Sequence, residues 1–307
     1  MPLVPEYEAM FAQLAEEPGP KISEVTPAEG REMYRLMRPV IEELSVGSVE
    51  DRTIDTVAGE IPVRIYRPAG DGPFPILVNF HGGGWVIGDL DTSDAVCRAM
   101  SAAAHCIVVS VDYRLAPEHA YPAAVDDAYA ATCWVADHAS ELGGSGRLGV
   151  FGESAGGNLA AVVAQKARDE NGPRIDFQLL AYPVVDHDLS RASYVENGAG
   201  YLLETETMAW FWDVYCPDPA RRAEPAASPL RADSLADLPP ALVLTAEFDP
   251  LRDEGHAYAD ALAAAGVPAS AICFDGLVHD FLATAALFPS SRAAFEKAVA
   301  ALRDALH

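Results

Sequence analysis

Three residues whose side chains can cooperate in acyl transfer occur along the chain in the order Ser154, Asp249, His279. Ser154 lies in a G-x-S-x-G pattern, Gly152 to Gly156, which follows an apolar run and precedes an Ala-rich segment. This placement predicts a tight strand–turn–helix bend with the serine hydroxyl at its tip. A hydroxyl is a weak nucleophile near neutral pH, so it needs a base that accepts its proton and an acid that orients the base. We therefore predict Ser154 as the nucleophile, His279 as the base and Asp249 as the orienting acid.

Other acids and histidines compete for these roles. Glu247, Asp253 and Asp280 are the rival acids. Asp249 is preferred, because Glu247 is expected nearer the strand body and Asp253 is expected to cap the next helix. Of the other seven histidines, only His81 is retained as a functional candidate. The rest are expected to be structural.

The stretch His81-Gly-Gly-Gly-Trp85 follows an apolar, strand-like run, and its three glycines require an explanation. Attack on an acyl carbonyl creates an oxyanion, and N–H donors must already point at the place it will occupy. Residues without a Cβ atom allow the backbone to come close to that place. We predict that the amides of Gly83, Gly84 and Ala155 form this oxyanion hole, and that a methyl group at position 83 would crowd the oxyanion. A nucleotide-binding loop is the rival interpretation, but the chain lacks the following Lys-Ser/Thr and the G-x-G-x-x-G spacing.

The elements that must position these residues alternate along the chain after a probable hairpin at 52–68. Strand-like runs occur at 76–80, 106–112, 147–151, 176–182, 241–246 and 270–274, and helical segments lie near 92–104, 122–140, 155–170, 253–265 and 290–306. This alternation predicts an α/β fold, with a mostly parallel sheet covered by helices on both faces. Ligands bind such sheets outside the carboxyl ends of the strands, where Ser154, Asp249 and His279 are expected.

The first 45 residues predict two amphipathic helices. The second helix opens with a capping box formed by Thr26 and Glu29, with Pro27 at its first position. The apolar faces of the two helices are Tyr7, Met10, Phe11 and Leu14, and Met33, Leu36, Met37 and Val40. Core packing is the first interpretation of these faces, and a lid over a lipophilic site is the second.

An insertion at about 187–238 interrupts the alternation. Its apolar helical face consists of Met208, Phe211, Trp212 and Tyr215. Together with residues 1–45 it would form a helical cap on a catalytic domain spanning 46–307, although core packing of the aromatics is an equal alternative. We predict a substrate pocket lined by Gly82, Trp85, Phe211 and Trp212.

Composition and charge limit the partners of this chain. It carries 46 acidic and 21 basic residues, a formal net charge of −25, which repels nucleic acid and anionic membranes. No basic leader is present, and no apolar run approaches the roughly 18 residues of a membrane span. The five cysteines are scattered without a CxxC pair, which favours reduced thiols over disulfides or a zinc site. A cytoplasmic protein without a metal or cofactor is therefore expected.

Several motifs together carry a family resemblance. They are HGGGW at 81–85, DYRLAPEHAYPA at 112–123, GESAGGNLA at 152–160, DPLRDEG at 249–255 and GLVHDF at 276–281. In this order they resemble the hormone-sensitive-lipase-like branch of the α/β-hydrolases, most of which are microbial carboxylesterases. The resemblance covers nearly the whole chain from about residue 50. It implies an eight-stranded sheet, the triad Ser154–His279–Asp249 and the oxyanion hole described above.

The same resemblance has further implications for structure. It implies that Asp112, Arg114 and Glu118 hold a buried polar network that supports the active-site loops. Glu153 is expected to act on the site through its neighbours rather than on the substrate. A homodimer, often formed through an edge strand, is also implied.

The predicted function is that of a cofactor-free serine esterase acting on small-molecule esters of short- to medium-chain acids through an acyl-enzyme. The preference for short acyl chains is predicted from a compact pocket bordered by Trp85 and cap side chains, and from the lack of a surface lipid-docking segment. An amidase or peptidase using the same residues is an alternative. A non-catalytic receptor is a third reading. Plant hormone receptors of this fold have lost the catalytic histidine, whereas this chain retains Ser154, Asp249 and His279.

Overall fold

The sheet is the element on which the whole molecule is built. The computed structural model describes residues 2–16, 19–38 and 45–307, and within them eight strands form one sheet in the order β1-β2-β4-β3-β5-β6-β7-β8. The strands are β1 (Ser48–Thr56), β2 (Gly59–Arg67), β3 (Phe74–Phe80), β4 (Ile107–Val111), β5 (Gly144–Glu153), β6 (Phe177–Ala181), β7 (Ala241–Phe248) and β8 (Ala269–Val278). The β1–β2 and β2–β4 pairs are antiparallel and the other pairs are parallel. The predicted mostly parallel, eight-stranded sheet is therefore confirmed.

Helices cover both faces of this sheet. The helices of the described residues are α1 (Pro5–Glu16), α2 (Pro27–Met37), α3 (Asp94–Ala104), α4 (Ala123–Asp137), α5 (Ala139–Leu142), α6 (Ala155–Asp169), α7 (Ala192–Glu196), α8 (Thr205–Tyr215), α9 (Arg252–Ala264) and α10 (Pro289–Leu306). Side chains of β3 alternate between the two faces, as the pleat of a strand requires. Ile76 and Val78 belong to one buried apolar cluster and Leu77 to the other. No helix of the described residues is long and apolar enough to cross a membrane.

The two N-terminal helices differ in how they pack. On α1, Tyr7 is fully buried and its hydroxyl lies 2.7 Å from Thr284 Oγ1, whereas Leu14 is 47% exposed. On α2, Leu36 is 86% and Met37 59% exposed. Core packing of the α2 stripe is therefore wrong for these two residues, and Val40 lies outside the described residues.

Polar contacts of α2 explain this arrangement. Its Arg31 donates to the carbonyl oxygens of Val86 at 2.9 Å and Ala116 at 3.0 Å, and pairs with the carboxylate of Glu118. The predicted capping box is also present, with Thr26 and Glu29 each accepting from the backbone N–H of the other. Helix α2 is thus attached through its polar side, which leaves part of its apolar stripe uncovered.

Two aromatic rings of the insertion pack in the core. Trp212 and Tyr215 of α8 are buried, and the Tyr215 ring stacks on Trp85 with 4.1 Å between ring centroids. Core packing, one of the two alternatives for these aromatics, is therefore the one observed for Trp212 and Tyr215. The division of the chain at residue 45 into cap and catalytic domain remains a prediction, because residues 39–44 are not among those described.

The bend at Ser154 depends on a close approach of α6 to β3. A Cβ atom on Gly156, in the first turn of α6, would collide with the carbonyl oxygen of Phe80 at the end of β3. Backbone atoms of a central strand cannot move aside without disturbing their neighbours. The second glycine of the G-x-S-x-G pattern is thus required by packing.

We expect Gly156→Ala to lower the free energy of unfolding by about 1–3 kcal/mol or more, because the added methyl group overpacks this contact. Urea denaturation would measure the loss. Gly30→Ala in α2 is the matched control, since its Cβ would lie at an ordinary 3.5 Å from Ile87 and should be tolerated. Equal effects of the two substitutions would contradict this explanation.

Candidate active site

The predicted nucleophile occupies a strained backbone position. β5 ends at Glu153 and α6 begins at Ala155, so Ser154 alone makes the turn, with φ 56° and ψ −118°. A non-glycine residue rarely adopts a positive φ, and such outliers persist where the surrounding structure holds them. Here the Ser154 N–H donates to Ala181 at 2.9 Å, and the Ser154 carbonyl accepts from Val184 at 3.2 Å.

Two loops from other strands bring a base and an acid to this serine. Asp249 directly follows β7 and His279 directly follows β8. His279 Nε2 lies 3.1 Å from Ser154 Oγ, and His279 Nδ1 lies 2.8 Å from Asp249 Oδ2. Ser154 and His279 are each 8% exposed and Asp249 is fully buried. The three side chains thus form a hydrogen-bonded series, and their catalytic roles remain a prediction.

The rival acids have other partners. Glu247 Oε2 accepts from the N–H of Gly276, at 2.8 Å. Asp253 accepts from the backbone of Ser193 at 2.9 Å. Asp280, despite adjoining the histidine in sequence, forms an ion pair with Arg38 at 2.8 Å.

The two candidate histidines have opposite electrostatic environments. Burial opposes protonation of His279, but the carboxylate of Asp249 outweighs it, so that the pKa of His279 is raised. Burial lowers the pKa of His81 to about 4. His81 Nδ1 lies 2.8 Å from the carbonyl oxygen of Gly82, and its ring stacks on Tyr113. His81 therefore supports the glycine-rich loop as a neutral side chain.

The glycine-rich loop lies beside Ser154 with unpaired donors. No acceptor among the described residues pairs with the N–H groups of Gly83, Gly84 or Ala155. Gly83 and Gly84 have positive φ values of 116° and 58°. A Cβ atom on Gly83 would collide with the carbonyl oxygen of Ile87. The expectation that a methyl group there crowds an oxyanion is therefore wrong, because the conformation of the loop itself excludes the side chain.

A small cavity of about 110 Å³ opens beside Ser154 and His279. Its other lining residues are Ile22, Tyr34, Met37, Gly82, Gly83, Gly84, Ile87, Leu202, Leu203, Thr207, Phe211 and Asp280. Of the predicted pocket residues, Gly82 and Phe211 line this cavity, whereas Trp85 and Trp212 do not. Both tryptophans are buried and pack against each other with 5.0 Å between ring centroids. Their assignment to the pocket is therefore wrong.

A second group of polar side chains lies behind the nucleophile. Tyr182 donates from its hydroxyl to Glu153 Oε1 at 2.6 Å, and its ring contacts His279 edge-on with 4.8 Å between centroids. Burial, reinforced by the carboxylate of Asp280, raises the pKa of Glu153 to about 7 against the opposing effect of Arg38. Glu153 is 4% exposed and is absent from the cavity wall. It can act on the site only through these neighbours.

The expected network of Asp112, Arg114 and Glu118 does not form as one buried group. Arg114 instead pairs with the buried Asp127 of α4, with Nε–Oδ2 and Nη2–Oδ1 distances of 2.8 and 2.6 Å. Glu118 pairs with Arg31 of α2, and its side chain is 56% exposed. The motif thus anchors two helices separately, because its side chains leave the loop in different directions.

Sequence reasoning missed three residues that shape this site. Tyr182 bridges Glu153 and His279, and its only signal was its place at the end of a strand-like run. Asn197 and Ser193, in the insertion, contact the loop that carries Asp249 and gave no signal at all.

Within the described residues, no group of three His, Cys, Asp or Glu side chains could hold a metal ion.

The raised pKa of Glu153 predicts how stability depends on pH. The folded chain keeps the carboxyl proton of Glu153 at pH values where the unfolded chain has released it. The free energy of unfolding therefore falls as pH rises from about 4.5 to about 7. Glu153→Gln should therefore stabilise the protein near pH 8, by on the order of 3 kcal/mol, and have little effect near pH 4. Urea denaturation at both pH values measures the difference, with the exposed Glu60→Gln as control. An equal effect of Glu153→Gln at the two pH values would refute the raised pKa of Glu153.

Comparison with known proteins now adds to this geometry. Residues 77–283 match a family model described as the alpha/beta hydrolase fold. The chain is 47% identical to Esterase LipI of Mycobacterium tuberculosis, over 88% of this chain and 85% of that protein, and 44% identical to Carboxylesterase NlhH of the same species, over 92% of each. Among solved structures, a thermostable esterase from Pseudomonas putida matches with a TM-score of 0.95 and 41% identity, covering 100% of this chain and 98% of the other. An esterase from Pyrobaculum calidifontis matches with a TM-score of 0.92 and 40% identity over 99% of both chains. The chain therefore belongs to the α/β-hydrolase family, in its hormone-sensitive-lipase-like branch of microbial carboxylesterases.

Proposed function

We propose that this protein is a serine carboxylesterase that hydrolyses small-molecule esters of short- to medium-chain acids. The observation that carries the proposal is the hydrogen-bonded series from Asp249 through His279 to Ser154, with distances of 2.8 and 3.1 Å. These are the contacts that a base needs to accept a proton and an acid needs to orient it. Relatives named esterases at 44–49% identity support the same reaction class.

The first half of the reaction forms the acyl-enzyme. His279 accepts the hydroxyl proton through Nε2 while Ser154 Oγ attacks the ester carbonyl carbon. Asp249 stabilises the imidazolium that results. The carbonyl oxygen becomes an alkoxide and is stabilised by the N–H groups of Gly83, Gly84 and Ala155. The start of α6 contributes the positive end of its dipole at the same place.

The second half regenerates the enzyme. The tetrahedral intermediate collapses, and His279 donates its proton to the departing alcohol oxygen. A water molecule then gives a proton to His279 and attacks the acyl carbon. The second tetrahedral intermediate releases the carboxylic acid and restores the hydroxyl of Ser154.

The shape and lining of the cavity support a preference for shorter acyl chains. Its volume of about 110 Å³ is small, and most of its lining is apolar. Phe211 closes it beside the glycine-rich loop, so closely that a Cβ atom on Gly84 would collide with the ring. A long acyl chain would have to displace this ring or leave the cavity.

Ser154→Ala should lower turnover of aryl esters by about 10⁶-fold, because the members of such a triad act as a unit. Thermal denaturation should show an intact fold. A reactive organophosphonate should label the wild-type protein at Ser154 and leave the variant unmodified, as mass spectrometry would show. Ser190→Ala, a change at an exposed serine, is the matched control. Retained turnover or labelling elsewhere in Ser154→Ala would disprove the assignment.

The amidase alternative uses the same residues, so the substrate must decide between them. A series of esters and anilides with identical acyl groups measures kcat/KM for both reactions. Much faster hydrolysis of the esters is expected. Equal or faster hydrolysis of the anilides would replace the esterase with an amidase.

Phe211→Ala should shift the preference of the enzyme toward longer acyl chains, because it removes the ring that closes the cavity. The measurement is kcat/KM for aryl esters from acetate to dodecanoate. Wild type should favour the short and medium members, and the variant should gain on the long ones. Trp212→Phe is the control, since Trp212 lies on the same helix but does not line the cavity. An unchanged profile in Phe211→Ala would contradict the role of this ring.

A further inference from the structure

The short helix α7 belongs to the insertion predicted to form a cap, yet its side chains contact the loop that carries Asp249. Ser193 is fully buried and Asn197, the residue after α7, is 5% exposed. Val195 of the same helix, by contrast, is 79% exposed. None of α7 lines the cavity beside Ser154. The contacts of this helix therefore need an explanation other than substrate binding.

The innermost contacts are hydrogen bonds to the main chain around Asp249. Asn197 Nδ2 donates to the carbonyl oxygens of Glu247 at 3.0 Å and Asp249 at 3.3 Å. Ser193 Oγ donates to the carbonyl oxygen of Pro250 at 2.6 Å. Three carbonyl groups in a stretch of four residues are thus paired by two side chains of the insertion.

Further contacts extend this attachment to the start of α9. Ser193 Oγ also accepts from the N–H of Asp253 at 3.3 Å, while the Ser193 N–H donates to the Asp253 carboxylate at 2.9 Å. Glu196 forms an ion pair with Arg252 at 2.8 Å. Both ends of the loop are therefore fixed to α7 and the residue that follows it.

These contacts matter because the carboxylate of Asp249 has few restraints of its own. Its Oδ1 accepts from the N–H of Leu251 at 2.9 Å, and its Oδ2 faces His279. Pairing of β7 with β8 shifts register between Ala246 and Phe248, just before the acid. The regular ladder thus ends where precise placement is needed, and buried carbonyl groups there require partners from elsewhere.

We infer that α7 and Asn197 act as a clamp that positions the catalytic acid, with Ser193 and Asn197 as positioning residues that never touch the substrate. The inference rests on the proposed function, because it assigns a role to Asp249 in the reaction. The clamp holds the main chain of residues 247–250, and the main chain in turn aims the carboxylate at His279 Nδ1.

The clamp is also continuous with the wall of the substrate cavity. The first residue of α8, Thr205, donates from Oγ1 to the carbonyl oxygen of Tyr194 at 2.9 Å and from its N–H to Gly198 at 3.0 Å. Thr207 and Phe211 of the same helix line the cavity. One insertion thus shapes the pocket with α8 and aims the acid with α7.

The test uses two variants. Asn197→Ala removes both hydrogen bonds that Nδ2 donates, and Asn197→Asp places a carboxylate against the same two carbonyl oxygens. Each should lower kcat by about 10- to 100-fold, because a displacement of about 1 Å in a catalytic group has effects of this size. KM should change little, since the cavity wall is untouched. The acid limb of the profile of kcat/KM against pH should move to lower pH, because a misplaced Asp249 stabilises the imidazolium of His279 less.

Two controls separate positioning from stability. Val195→Ala changes an exposed residue of the same helix and should leave kcat, KM and the pH profile unchanged. Gln165 lies in α6, away from the Asp249 loop, and Gln165→Ala removes its buried hydrogen bonds to Pro229 and Tyr258. It should lower the melting temperature as much as Asn197→Ala does, without lowering kcat of the folded enzyme.

A double-mutant cycle with Asp249→Ala decides whether Asn197 acts through the acid. If it does, Asn197→Ala should cost nothing further in kcat once Asp249 is already alanine. Full additivity of the two losses, or a kcat in Asn197→Ala equal to that of wild type, would overturn the clamp. The single variant Asp249→Ala tests the proposed function separately: undiminished turnover there would refute the triad itself.

Discussion

The placement of one imidazole ring is the constraint on which the rest of this structure depends. His279 must meet a hydroxyl at one nitrogen and a carboxylate at the other, with distances of 3.1 and 2.8 Å. Ser154 lies 125 residues away in sequence and Asp249 lies 30 away. A hydrogen bond weakens steeply with distance and angle, so three separate loops must be fixed within tenths of an ångström. Parallel strands solve the first part of this problem, because the loops after β5, β7 and β8 all emerge at one edge of the sheet.

The second part is solved by restraints that differ for each loop. The serine is held by a strained backbone between β5 and α6, where Gly156 allows the helix to approach the sheet. The glycine-rich loop is held by the buried, neutral ring of His81 against Tyr113. The acid depends on side chains from outside the strand, those of Ser193 and Asn197. The backbone strain at Ser154 persists because the surrounding contacts oppose its relaxation.

Sequence predicted what is local and missed what is formed by distant contacts. Strand–helix alternation, the capping box at Thr26 and the bend at Ser154 are encoded within a few neighbouring residues, and the structure has them. Neighbouring residues do not encode the pairing of Arg114 with Asp127, nor the place of Trp85 in the core. The apolar periodicity likewise indicates that one side of α2 is apolar, but not whether another element covers that side. In the structure, Leu36 on this side is exposed. Pairing between such residues is decided by the tertiary fold, which a single sequence does not display.

Burial also disfavours the charge of a second acid in this part of the molecule, Glu254. Glu254, in the first turn of α9, is fully buried, and burial followed by the charge of Asp186 raises its pKa well above the usual range. Its carboxyl oxygens accept hydrogen bonds from the N–H of Asp186 at 3.1 Å and the hydroxyl of Tyr194 at 3.3 Å. A second ionised carboxylate at this depth would repel that of Asp249 in a medium of low dielectric constant, where such interactions are strong. Glu254 therefore connects the first turn of α9 to Tyr194 of α7 through a hydrogen bond, at a place where burial disfavours a second carboxylate charge.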